Sequence, residues 1–307
     1  MGRSVTLRAL DPVGDRAVLE ELWHAALDPP WPLLPGGLDV VRAGLIAEQG
    51  GRALGAVATD PAGSVRLLLV DPAHQRRGLG TRLLDAALRQ LGAAGVGAVR
   101  LGSGGHDYIW PGVPDDLPGA VRFFEASGWA WDDAVIDLVG DLRGYRALPG
   151  VHERAARAGV TIEPCDDRDR ERVLAFEAET FPSWLRWFDL GDSSILMARD
   201  AAGRVVGSLL YRGPGKVSGE VSVFDPLLGP MPGTIGCVGV AVQAQGRGIG
   251  SAMVTRASEL LRDAGTRLCH IAWTAREDFY ARVGYSPWRR YLMSSRQLTA
   301  HRPPYRS

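Results

Sequence analysis

Two rhythms of apolar and polar positions alternate along this chain, and their order occurs twice. Val5-Thr6-Leu7 begins a short strand that reads as the edge of a sheet, and the spacing then becomes helical from Asp15 to His24. Val160-Thr161-Ile162, followed by Asp169 to Glu179, repeats that pair. In the second half, Ser194 to Arg199 and Arg204 to Tyr211 read as an antiparallel pair turned by Asp200-Ala201-Ala202-Gly203, and Thr234 to Val242 reads as a third, apolar strand. Ser251 to Ala264 carries Met253, Val254, Ala257, Leu260 and Leu261 at helical spacing and stops before Gly265. Leu268 to Trp273 returns to a strand, and Thr274-Ala275-Arg276-Glu277 has the spacing of a capping box ahead of a helix bearing Phe279-Tyr280. The first half gives the same order, with strands from Leu45 through Val70, a helix from Thr81 to Leu91 and a strand from Ala98 to Leu101.

Three anchors make this a duplication rather than a coincidence of pattern. The opening strands are offset by 155 residues; Gln75 to Gly80 recurs as Gln245 to Gly250 at an offset of 170; Phe123-Phe124 with Gly128-Trp129 recurs as Phe279-Tyr280 with Gly284-Tyr285 at an offset of 156. The changing offsets place an insertion before the second glycine loop. They place another in the first half, the turn-rich stretch from Gly102 to Pro118 that contains Tyr108-Ile109-Trp110-Pro111. The expected organisation is a first domain over residues 1–143, a linker over 144–159 broken by Pro149-Gly150, and a second domain over 160–307. Each is expected to be α/β (α+β), a mixed, mostly antiparallel sheet flanked by helices.

Composition narrows the function classes. The 307 residues suit two ordinary domains, and the 35 basic and 35 acidic side chains cancel, so nothing in the charge asks for nucleic acid or an anionic membrane. A hydrophobic content of 46% supports a packed core, no apolar run is long enough to cross a bilayer, and a cytoplasmic location is expected. Lys216 is the sole lysine and asparagine is absent, which fits a GC-rich bacterial genome; the myristoylation-like start Met1-Gly2 is then chance. Cys165, Cys237 and Cys269 have neither disulfide nor metal-ligand spacing, so they read as small buried residues and no metal is expected.

The chemistry begins at the glycine loops. A strand ending in Gln-x-x-Gly-x-Gly and running straight into a helix presents backbone N–H groups at a helix N-terminus, an anion site suited to a diphosphate. Gln75, Arg76, Arg77, Gly78, Leu79, Gly80 and Thr81 form one such loop, and Gln245, Gly246, Arg247, Gly248, Ile249, Gly250 and Ser251 the other. A dinucleotide fingerprint fails because its third glycine would come one residue later, and a nucleoside triphosphatase loop fails because it needs a Gly-Lys pair.

These loops, each after an apolar strand, together with Phe279-Tyr280-Ala281-Arg282-Val283-Gly284-Tyr285, resemble the GNAT superfamily of acyl-CoA-dependent N-acetyltransferases, over nearly the whole chain twice. The resemblance implies acetyl-CoA as co-substrate, its pyrophosphate on the loop and its pantetheine along the strand before it, at Val238, Val240 and Val242 in the second copy and Leu68 and Val70 in the first. It also implies an acyltransferase acting on the primary amine of a small molecule, with Tyr280 as general acid; the first copy has Phe124 there, which carries no proton to donate. Catalysis is therefore expected in the second domain, with Glu220, Asp225 and His270 as alternative bases. The first domain would bind acetyl-CoA without reacting, survive as a structural remnant, or use Tyr108 in place of the missing hydroxyl. Trp184 and Trp187, within Phe181 to Phe188, are candidates for stacking on an acceptor such as an amino sugar; packing of an amphipathic helix is the plainer use of the same residues. A non-catalytic acetyl-CoA sensor or interaction protein is the alternative class, a transferase using aminoacyl-tRNA is disfavoured by the balanced charge, and a homodimer is compatible with all of these.

Overall fold

The protein is described by a computed structural model over residues 4–103, 109–190, 193–214 and 225–298; Tyr108, Lys216, Glu220 and the side chain of Asp225 lie outside the described part. The first half runs β1 (Thr6–Ala9), α1 (Arg16–Leu27), β2 (Ala43–Gln49), β3 (Arg52–Asp60), β4 (Ser64–Val70), α2 (Leu79–Ala93), β5 (Ala98–Leu101), β6 (Val113–Pro114), α3 (Pro118–Ala126) and β7 (Asp133–Asp141). The second runs α4 (Val151–Arg157), β8 (Thr161–Pro164), α5 (Arg170–Thr180), α6 (Leu185–Asp189), β9 (Ser194–Arg199), β10 (Val205–Arg212), β11 (Pro232–Val240), α7 (Ile249–Asp263), β12 (Leu268–Thr274), α8 (Glu277–Ala281), β13 (Ser286–Met293) and β14 (Ser295–Gln297). This is the expected mixed α/β class with mostly antiparallel sheets.

The helical spacing does what the pattern demands. In α2 the residues Leu79, Leu83, Leu84, Ala87, Leu88 and Leu91 are buried on one stripe, and in α7 the stripe is Ile249, Ala252, Met253, Ala257 and Leu261. Both helices start two residues earlier than the sequence pattern suggests. Gly78 and Gly248 sit at the N-cap with φ of 79° and 80°, a left-handed turn that lets the glycine loop enter the helix. At the other boundary β11 stops at Val240: Val242 opens a short 3₁₀ turn, Val242–Ala244, with its side chain 79% exposed. Ahead of α8, Thr274 Oγ1 accepts the N–H of Arg276 at 3.1 Å, and Arg276 is the residue that flanks the helix.

Two compact units emerge, residues 1–135 with 290–307, and residues 136–289. They do not coincide with the two repeats. In the first unit the sheet order is β1-β2-β3-β4-β5-β14, so the outermost strand comes from the end of the chain, with Ser295 opposite Arg100. In the second unit β12 is flanked by β7, which lies within the stretch expected to be the first domain, with Cys269 opposite Gly140 and Ile271 opposite Leu138. The stretch expected to be a linker contributes α4, whose Val151 and Ala155 pack on Ala252 of α7. Ile136, Leu138 and Leu142 belong to the same core as Leu196, Ile235, Met253 and Ile271.

A fragment of residues 136–289 is therefore expected to unfold cooperatively. A fragment starting at residue 160 loses Leu138 and Leu142, both fully buried, at about 2 kcal/mol or more for each side chain. Thermal melts of the two fragments followed by circular dichroism check this, and the shorter one is expected to melt lower or not to fold.

Candidate active site

The two glycine loops are superimposable in their chemistry. Gln75 Nε2 donates to the Val70 carbonyl at 3.1 Å and Gln245 Nε2 to the Val240 carbonyl at 2.9 Å, so each glutamine ties its loop to the end of the preceding strand. The left-handed positions coincide as well: Arg76 and Gly78 in one, Gly246 and Gly248 in the other. Gly80 and Gly250 abut aromatic rings, since a Cβ would lie 3.2 Å from Phe123 and 3.3 Å from Phe279. The glycine anchor and the aromatic anchor of each repeat are thus in contact. Arg76, Arg77 and Thr81 are exposed at the first loop, and Ser251 is partly buried at the second. Arg247, expected to face a diphosphate, donates to the Ala158 carbonyl instead. A cation that sequence reasoning missed stands nearby: Arg154 of α4, whose side chain lies 3.5 Å from where a Cβ on Gly248 would be.

Beside the second loop the sheet opens. β11 and β12 pair in parallel only from Pro232 to Thr234, opposite Leu268 to His270. Three residues past that last pair each strand carries a non-glycine residue in the left-handed region, Cys237 and Trp273, both at φ 49°, a conformation that costs about 1 kcal/mol or more. At Cys237 the pairing of β11 with β10 also shifts register, between Ser208 and Leu210, as a β-bulge does. Among the described residues, the edge of β11 that holds Val238 and Val240 thus has no strand beside it. Such an edge can hydrogen-bond an extended ligand, and the glycine loop lies at its end. Val242, on the exposed turn, falls outside this edge. In the first unit β4 and β5 pair only at Ser64–Val65 with Arg100–Leu101, leaving Leu68 and Val70 on a similar edge.

Around Cys237 the second unit gathers three ionisable groups. Tyr280 of α8 is 7% exposed, and burial pushes its hydroxyl up to about 12, so it stays protonated at neutral pH. Glu177 of α5 is fully buried; Ser208 donates a short hydrogen bond to its Oε1, and its Oε2 has no partner among the described residues. Burial lifts this carboxyl to about 7, against the Ser208 hydrogen bond that holds it down. Burial and then the Glu177 charge raise the Cys237 thiol to about 12, with Arg186 opposing; the Cys237 thiol in turn raises Tyr280. Sequence reasoning missed Glu177, although the signal was there: it follows Val173 at i+4, on the buried face of α5.

Of the bases considered from sequence, His270 is buried on β12 with its Nε2 3.3 Å from Asp137 Oδ2. Asp137 Oδ1 also accepts the Trp273 N–H at 2.9 Å, so this carboxylate pins the left-handed residue of β12. Trp184 stacks on Phe181 at 4.9 Å, Arg186 lies 4.0 Å over the Trp187 ring, and both tryptophans border the apolar cluster of Phe188 and Met197. Phe181 in turn fills the space over Gly239, where a Cβ would come 2.4 Å from its ring.

The first unit fills the matching space with apolar groups. Trp110, from the insertion, stacks on Trp23 at 5.4 Å and meets Trp31 edge-on at 5.5 Å. A cavity of about 80 Å³ remains, and Arg66 is its only ionisable lining residue. Arg66 is tied to Asp60 and donates to the Val40 carbonyl at 2.7 Å. Among the described residues of the chain no group of three or more His, Cys, Asp and Glu side chains could hold a metal ion.

Comparison with known proteins gives a consistent picture. The acetyltransferase (GNAT) domain family matches residues 42–130 and 191–287, once in each repeat. A mycothiol acetyltransferase of Beutenbergia cavernae is 32% identical over 257 residues, 72% of this chain and 74% of the relative. One from Clavibacter sepedonicus is 29% identical over 225 residues, 68% of this chain and 64% of the relative, so the alignment spans less than two thirds of that protein. A solved fungal structure, described as a glucosamine N-acetyltransferase region of a multi-domain β-N-acetylglucosaminidase, superposes with a TM-score of 0.84 at 29% identity, over 96% of this chain and 38% of the fungal one.

Because the Glu177 carboxyl binds its proton more tightly in the folded state, its contribution to stability is complete below its ordinary value of 4.5 and is lost as pH rises through about 7. Glu177→Gln removes that loss. Thermal melts at pH 5 and pH 8.5 are expected to agree for the two proteins at pH 5. At pH 8.5 the variant should be the more stable by on the order of 3 kcal/mol; equal melting temperatures at pH 8.5 contradict it.

Proposed function

Since the chain belongs to the GNAT acetyltransferase family, we propose that its second unit moves the acetyl group of acetyl-CoA to the primary amine of an amino sugar, with Tyr280 as the acid that protonates the departing thiolate. The observation that carries this reading is the placement of Tyr280: a buried, protonated phenol beside the unpaired edge of β11, where the first unit has Phe124. The acetyl thioester would lie along Val238 and Val240, polarised by backbone N–H groups, with the pyrophosphate on Gln245 to Ser251 and Arg154 as a further cation. The likeness to a glucosamine N-acetyltransferase region over 96% of the chain supports an amino sugar as acceptor. The mycothiol acetyltransferase relatives support acetyl transfer to a small molecule. Phe181, Trp184 and Trp187 offer rings to a sugar face.

For the first unit the reading is acetyl-CoA binding without transfer. Its loop has the same left-handed positions as the second, whereas Phe124 and the tryptophan cluster occupy the positions chemistry would need.

Thiol release from acetyl-CoA with a panel of amino sugars, polyamines, amino acids and aminoglycosides tests the activity, and the amino sugars are expected to be the best acceptors. Tyr280→Phe should lower kcat about a hundredfold or more while leaving acetyl-CoA affinity within about twofold by calorimetry. Undiminished turnover in that variant overturns the role given to Tyr280.

A further inference from the structure

We propose that Glu177 is the proton acceptor for the incoming amine, an assignment that rests on the acetyl-transfer reading of the second unit. Three observations converge on it. Its Oε2 is a fully buried carboxylate oxygen with no partner among the described residues, while Oε1 is held by Ser208. A buried acceptor left open in this way costs free energy unless a ligand fills it. Cys237, the bulge residue on the strand whose edge is unpaired, packs against the same apolar cluster as Val173, one turn before Glu177 on α5.

The third observation is the comparison of the two repeats. Counted from the aspartates that precede them, α1 and α5 bury the same three positions, Leu19, Leu22 and Trp23 in one, Val173, Phe176 and Glu177 in the other. Trp23 therefore stands where Glu177 does. In strand register Ala56 faces Leu69 as Ser208 faces Gly239. With Phe124 in place of Tyr280, the first repeat has replaced Glu177, Ser208, Gly239 and Tyr280 by Trp23, Ala56, Leu69 and Phe124. The carboxyl, its hydroxyl partner, the glycine opposite and the phenol are present together or absent together. A carboxyl needed only for packing has no reason to accompany the phenol.

The proton balance closes. The acceptor arrives as an ammonium and gives one proton to Glu177 Oε2. The free amine attacks the thioester carbonyl, the C–N bond forms, the C–S bond breaks, and the thiolate takes the proton of Tyr280. The second nitrogen proton restores Tyr280, and Glu177 releases its own to solvent. Ser208 of β10 faces the carboxyl through its hydrogen bond, and the Cys237 thiol of β11 is raised by the carboxylate with Arg186 of α6 opposing. His270 is engaged through Nε2 by Asp137 and cannot serve with that nitrogen.

The test uses the full chain with acetyl-CoA and glucosamine, measuring kcat/KM from pH 5.5 to 9.5. Wild type should show an acidic limb with a midpoint near 7. Glu177→Gln should lose a hundredfold or more at neutral pH, keep its acetyl-CoA affinity and its pH 5 melting temperature, and regain rate about tenfold per pH unit as free amine replaces ammonium. Glu177→Asp should recover part of the activity with the acidic limb still present. If Glu177→Gln keeps the wild-type rate and the acidic limb, the assignment to Glu177 is wrong while acetyl transfer stands. If wild type releases no thiol with any amine of the panel, the acetyl-transfer reading fails and this one with it.

Discussion

The parting of β11 from β12 after three residue pairs is the constraint on which the second unit is built. Separating two strands in mid-sheet leaves backbone donors and acceptors without partners, a heavy cost inside a protein. The cost is contained because each diverging strand keeps its partner on the far side: β11 pairs with β10 up to Val240, and β12 pairs with β7 as far as Thr274. Left-handed Cys237 and Trp273, one on each strand, mark the bends, and Asp137 accepts the N–H of the second. What is left is a short length of strand edge that a ligand with amide groups can complete, ending at a helix N-terminus.

That buried environment acts alike on two different groups. Removing water raises the pKa of a phenol and of a carboxylic acid. Tyr280 therefore keeps its proton at neutral pH, and the Glu177 carboxyl is brought into the range where it can hold one there. In the first unit the same burial is spent on packing, with Trp23, Trp31 and Trp110 against one another and a lone guanidinium tied to Asp60.

Much of this was legible in the residues. The glycine loops, the aromatic pair and the Tyr280-for-Phe124 difference are local patterns, and local patterns survive in one dimension. Helix starts were misplaced by two residues because a glycine in a left-handed cap and a glycine in a loop read alike. Glu177 was visible as a carboxyl at a core position of a helix, yet its meaning needed Ser208 and Cys237, which only strand register brings beside it. The pairing of β7 with β12 and of β14 with β5 could not be read at all, since period-two patterns say that a strand exists and not which edge it joins.

This last pairing bears on how the chain is made. Synthesis proceeds from the N-terminus, and domains ordinarily close in that order. Here β5 of the first unit gains its outer partner only when Ser295–Gln297 has been added, after the whole of the second unit. The half translated first must therefore wait with β5 exposed along one edge while the other half is being made.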